Sequence, residues 1–120
     1  MNPYHQKKII YLIESPLRER DFERYGIQNW IDNGWKVNVF DVTKIISPEF
    51  WSHVDGKKIS FNFKGLKFFD NIDELLFEIN NLQKKIVFID LLNFTNEGNK
   101  IRKAAHTYGL IIRVRLGSFP

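Results

Sequence analysis

With 120 residues, 43% of them hydrophobic and 15% aromatic, the chain has enough apolar material for one domain core without staples. It has no cysteine, which excludes disulfides and thiolate metal sites, and its net charge of +4 invites a nucleic-acid reading that its lysine placement opposes. Lys7-Lys8, Lys57-Lys58 and Lys84-Lys85 each precede an apolar run instead of gathering on one face, so no nucleic-acid partner is expected.

The chain opens with MNPYHQKK, which leads into a strand and not into a signal-peptide core. No apolar run approaches the roughly 20 residues that span a bilayer. The expected location is cytoplasmic, at most peripheral at the inner membrane.

Ile9 to Ile13 is a near-continuous apolar run, the pattern of a strand covered on both faces. Pro16 ends it, and Arg18 to Asp32 reads as one helix with Phe22, Tyr25, Trp30 and Ile31 on its apolar stripe. Asn33-Gly34 supplies a left-handed stop. Val37, Val39, Phe40 and Val42 make a second buried strand that closes on Asp41 and Thr43.

Ser47-Pro48-Glu49 then reads as a helix start, with Ser47 as N-cap, and Asp55-Gly56 as its turn. Ile59, Phe61 and Phe63 alternate with polar residues, predicting a half-buried strand. Lys64-Gly65 reads as a tight turn, with Leu66 to Phe69 as hairpin partner or continuation. Asp70 or Asn71 caps the next helix, whose apolar face is Ile72, Leu75, Leu76, Ile79 and Leu82. Ile86 to Ile89 is a further buried strand ending at Asp90. Thr95 to His106 is a helix stopped by Tyr108-Gly109, and Leu110 to Leu116 is the last strand.

Alternating strands and helices predict an α/β fold with right-handed crossovers. The expectation is a three-layer sandwich around a mainly parallel sheet of about five strands in the order 3-2-1-4-5, with about four helices.

In such sheets ligands lie beyond the C-terminal strand ends. The residues expected on that rim are Glu14, Ser15, Arg18, Arg20, Asp41 and Asp90, with Thr43, Asp70, Asn93, Gly117 and Ser118 nearby. The first turn, Glu14-Ser15-Pro16-Leu17-Arg18-Glu19-Arg20, holds no glycine, so a pyrophosphate could not approach its backbone and no dinucleotide cofactor is expected. Arg18 or Arg20 at a helix start could meet an anion, against the plainer reading of a solvated, mutually paired helix face. A phospho-acceptor receiver needs clustered acids after its first strand and a lysine after its fifth, and both are missing. His5, His53 and His106 are too scattered for a metal site. Trp30, Trp35 and Trp51 read as packing before they read as sugar platforms.

Several runs together carry a resemblance: Glu14-Ser15-Pro16-Leu17, Arg20 to Gly26, Asn33-Gly34-Trp35, Val39 to Thr43, and Arg115 to Pro120. They resemble the N-terminal Rossmann-like domain of bacterial surface-polysaccharide (capsule and O-antigen) biosynthesis proteins of glycosyltransferase, GT-B-like, type. That resemblance implies that residues 1–120 form a single Rossmann-like domain, the N-terminal half of a longer two-domain protein. It further implies an acceptor-side role toward a glycan or lipid-linked sugar, with the sugar nucleotide held by a separate C-terminal domain. The chain alone is then not expected to be catalytically competent. The alternative expectation is a non-catalytic Rossmann-like module that binds a ligand or a protein.

Overall fold

The computed structural model describes residues 7–82 and 86–114. Within them the five strands are β1 (Lys8–Ile13), β2 (Lys36–Asp41), β3 (Leu66–Phe68), β4 (Ile86–Asp90) and β5 (Gly109–Arg113). All four pairings are parallel, and the order across the sheet is β3-β2-β1-β4-β5. Sequence reasoning anticipated this sheet because a strand covered on both faces must be apolar at every position. Five of the six β1 residues are buried.

Side-chain alternation divides the core in two. Ile10 and Leu12 of β1 point to one face, where they join Phe40, Val42, Ile86 and Phe88. That face is roofed by α6 (Ile72–Asn80) and α7 (Asn96–Tyr108), which supply Leu75, Ile79, Ile101 and Ala105. Ile9, Tyr11 and Ile13 point the other way, to Val37, Val39 and Ile89. There the cover is α1 (Glu19–Arg24) and α2 (Ile27–Asp32), through Phe22, Ile27 and Trp30. Full burial of one such side chain contributes about 1.5–3 kcal/mol. On β5 the α1–α2 side is only thinly covered: Leu110 is 63% and Ile112 43% exposed.

The single helix expected over Arg18 to Asp32 is two helices. Gly26 at φ 69° takes the left-handed conformation between them, which ends α1 and starts α2 in a new direction. The stop at Asn33-Gly34 is present, with Gly34 at φ 87°.

The connection from β2 to β3 also departs from expectation. It holds three short helices, α3 (Thr43–Ile46), α4 (Pro48–Val54) and α5 (Gly56–Ile59), where one helix and a turn were expected. Ser47 stands at the N-cap of α4, but its side chain makes no capping hydrogen bond. Ile59 closes a helix, and Phe61 and Phe63 lie in an unpaired stretch, so the predicted half-buried strand is absent. Their alternation has another cause: both rings pack against Phe22, at 5.1 and 5.2 Å between centroids. Leu66–Phe68 is neither hairpin partner nor continuation. It is a parallel edge strand on β2.

Downstream, Asn71 caps α6 by accepting from the Glu74 N–H, and Thr95 caps α7 by accepting from the Gly98 N–H. The expected end of the last strand at Leu116 and the residues Gly117 and Ser118 lie outside the described residues, as do His5 and Lys84-Lys85. Among the described residues no helix is long and apolar enough to cross a membrane.

Candidate functional site

The strand order reverses direction at β1, so the chain leaves β1 and β4 toward opposite helix layers. Loops that diverge in this way leave a crevice at the C-terminal end of the sheet, the place where open α/β folds bind ligands. Its walls here are the turn Glu14–Arg18 after β1 and the turn Leu91–Thr95 after β4. Glu14 crosses between them: its carboxylate accepts from the Asn93 backbone N–H and, at 3.1 Å, from Asn93 Nδ2.

On the β4 side stands a charge cluster built around Asp90, which is 0% exposed. The β4–β5 register places Arg113 directly opposite it, and α7 brings Arg102 over the same carboxylate. Arg102 donates to Asp90 through Nε and, at 3.3 Å, through Nη2, and also reaches the Leu92 carbonyl and Asn99 Oδ1. Arg113 Nη1 donates to Asp90 Oδ2 at 3.3 Å and to the Leu92 carbonyl at 2.8 Å. The Leu92 N–H closes the set on Asp90 Oδ1 at 2.9 Å. A buried carboxylate needs such partners, and two forked guanidiniums supply them with fixed geometry. Both arginines then lie under the Phe94 ring, with guanidinium carbons 3.9 Å (Arg113) and 4.9 Å (Arg102) from its centroid. Phe94 itself is 69% exposed.

Asp41, on the other side of β1, is 1% exposed but differently placed. Odd residues of β2 face the α1–α2 layer, whereas Asp90 follows Ile86 and Phe88 toward the α6–α7 layer. One Asp41 oxygen accepts from the Thr43 N–H at 2.9 Å and from the Thr43 hydroxyl. The other oxygen is buried and has no hydrogen-bond partner among the described residues. Burial pushes the Asp41 carboxyl up from 3.8 to about 6, and the Thr43 bonds offset only part of that.

The remaining rim residues are less engaged. Ser15, Arg18 and Arg20 are exposed, and the Arg18 backbone N–H is capped by Asp21 at 3.1 Å. Asp21 also pairs with Arg24 at 3.7 Å, which fits the solvated, mutually paired helix face. Asp70 forms an exposed pair with Lys44 at 2.8 Å, and that bond holds its carboxyl below the usual range.

The structure thus joins Glu14 to Asn93, and Asp90 to Arg102, Arg113 and Phe94, but keeps Asp41 apart from both. Of the residues expected on the rim, Asp41 and Asp90 are sealed from solvent. A shallow concavity of about 420 Å³ lies on the α1–α2 layer, lined by residues including Glu19, Phe22, Glu23, Gln28, Asn29 and Phe61.

Trp30 donates through Nε1 to the Tyr11 hydroxyl at 2.9 Å and packs on Trp35, while Trp51 packs on Phe68. All three tryptophans are packing residues. Among the described residues no group of three or more histidine, aspartate or glutamate side chains could hold a metal ion.

Sequence reasoning missed Arg102, Arg113 and Phe94. The available signal was Asp90 itself, since an acid that closes a fully apolar strand must find a cation. Comparison with protein-family models, with curated proteins and with solved structures finds no match to this chain.

Proposed function

We propose that this chain is the acceptor-side domain of a glycosyltransferase-like protein of bacterial surface-polysaccharide assembly, and that it recognises a glycan or lipid-linked sugar without itself carrying the chemistry. The sequence resemblance supports the family. The observation that carries the division of labour is the state of the rim acids. Asp90 is held by two arginines, Glu14 is bridged to Asn93, and Asp41 is sealed away beneath Thr43. A general base must reach the proton that it abstracts; Asp90 and Asp41 are closed off from solvent, and Glu14 is the one partly exposed carboxylate of the three, engaged by Asn93.

In this reading the donor sugar nucleotide belongs to a second domain, and the rim of this one forms half of the cleft. No cofactor or metal is assigned to this chain. The same rim state also favours a second reading, a binding module with no transfer reaction anywhere in the protein.

The test is amide-resolved NMR of the chain with a panel of oligosaccharides and a detergent-solubilised polyprenyl-linked sugar, together with an assay of sugar-nucleotide hydrolysis. Shifts at Ser15, Arg18, Asn93 and Phe94 without hydrolysis are expected. Transfer or hydrolysis by this chain alone would refute the proposal, as would a rim that no glycan perturbs. Transfer by a longer gene product, reduced by Arg18→Ala at unchanged melting temperature, would separate the transferase from the binding module.

A further inference from the structure

The sheet has two outer strands, and they are not alike. β3 is three residues long with Lys67 at its centre, the kind of short, charged edge that discourages further pairing. β5 runs for five residues in unbroken register with β4, and Gly109-Leu110-Ile111-Ile112-Arg113 has neither proline nor lysine. Among the described residues no strand pairs with its outer side. On the face toward α1 and α2 it also leaves Leu110 and Ile112 exposed. A bare edge beside bare apolar side chains is a template for another strand.

The backbone fixes how such a strand attaches. The Val114 N–H donates to the Asp90 carbonyl at 3.0 Å, so Leu110, Ile112 and Val114 turn their peptide groups toward β4. Gly109, Ile111 and Arg113 turn theirs outward. A second β5 laid antiparallel and centred on Ile111 matches these three groups to one another. Ile111 then faces its own counterpart, and Gly109 faces the other copy's Arg113. On the α1–α2 face, Leu110 of each copy meets Ile112 of the other, and the exposed apolar side chains cover each other. The charges agree with this register. Arg113 faces a glycine, which has no side chain to obstruct it. The two Arg113 positions stand about 13 Å apart along the strands, beyond the Debye length of about 8 Å at physiological salt. Sliding the pairing two residues toward Val114 would bring them to about 7 Å and leave Gly109 unpaired.

We propose that this chain associates with a second copy of itself through β5, giving one continuous sheet with five strands from each copy about a two-fold axis. The contact is isologous, as a closed dimer requires. It is independent of the acceptor-side reading, and it leaves the two crevices at opposite ends of the joined sheet. A five-residue seam buries less than the roughly 800 Å² per partner of a standard interface, so the dimer is weak, with a Kd on the order of tens of micromolar.

Sedimentation equilibrium of the intact chain from about 5 to 500 μM, with amide exchange at both extremes, tests the proposal. A reversible monomer–dimer equilibrium is expected, with the Gly109, Ile111 and Arg113 amides exchanging more slowly at high concentration. Leu110→Lys and Ile112→Glu should each weaken association at least about tenfold at an unchanged melting temperature, since both side chains are exposed. A mixture of the two variants should associate at least as tightly as the wild type. In that mixed pair the introduced lysine faces the introduced glutamate, while the remaining Ile112 and Leu110 still meet.

A wild-type chain that stays monomeric at the highest concentration would overturn the proposal. So would a dimer that neither single variant disturbs, or a mixture that does not recover association. Outward amides protected equally at every concentration would show that another segment of the chain already covers the edge, and would overturn it as well.

Discussion

Asp41 and Asp90 close the two strands that flank β1, and both are withdrawn from water, yet they meet opposite fates. Asp90 lies on the α6–α7 face, where helix and edge strand each deliver an arginine. Asp41 lies on the α1–α2 face, where among the described residues only Thr43 donates to it and one oxygen has no partner. The difference shows that strand position alone does not assign an acid its role. What decides is whether the neighbouring elements can bring a cation to it. On one side the carboxylate becomes a fixed joint between β4, α7 and β5. On the other it becomes a titrating group inside the fold.

The largest effect should come from breaking the joint. Asp90→Ala leaves two guanidiniums without their carboxylate in a mostly buried place, and should cost about 3–5 kcal/mol. That is a large part of the 5–15 kcal/mol typical of a domain. Urea unfolding monitored by tryptophan fluorescence checks it, and a loss below about 1 kcal/mol would show that the arginines find equivalent partners elsewhere.

The Asp41 side should show itself through pH. The folded-state value of about 6 exceeds the ordinary carboxyl value of 3.8, so between those values the folded state holds a proton that the unfolded state has released. Stability from this group is then full below about pH 4 and is lost as pH rises through about 6. A shift of this size corresponds to roughly 3 kcal/mol across the window. Asp41→Asn should flatten that fall while leaving the remaining pH dependence intact. An unchanged slope between pH 4 and 6.5 in urea titrations would mean that Asp41 does not titrate there.

A smaller effect is expected where neither extreme applies. Glu14 is only partly buried, and its bonds to Asn93 join two loops instead of core elements. Glu14→Ala should cost about 1 kcal/mol and speed amide exchange in the turn after β4, most at Asn93. Protection there as high as in the wild type would remove Glu14 from the crevice.

The same two sides mark how far the sequence could be read. Ile9–Ile13 and Ile86–Ile89 declared themselves because a doubly covered parallel strand has no polar position to confuse the pattern. The order of the strands followed from the usual doubly wound arrangement of such alternating chains. The connection from β2 to β3 did not declare itself. Phe61 and Phe63 alternate as a strand would, but the alternation serves Phe22 on a helix, and no local rule separates these cases. Gly26 was visible as a glycine, yet its left-handed turn depends on how α1 meets the sheet. Of the rim, Asp41 and Asp90 were legible as acids at strand ends. Their partners were not, because Arg102 and Arg113 are 12 and 23 residues from Asp90 in sequence and meet it only through the fold.

The joint at Asp90 is the centre of this account, since it ties β4, α7 and β5 together beneath Phe94. A double-mutant cycle on Asp90→Asn and Arg102→Gln, read by urea unfolding, measures it most directly. Each single change should be strongly destabilising, and the pair should be less destabilising than their sum by about 2 kcal/mol. Strict additivity of the two changes would contradict a charge joint and leave Asp90 as an ordinary buried residue.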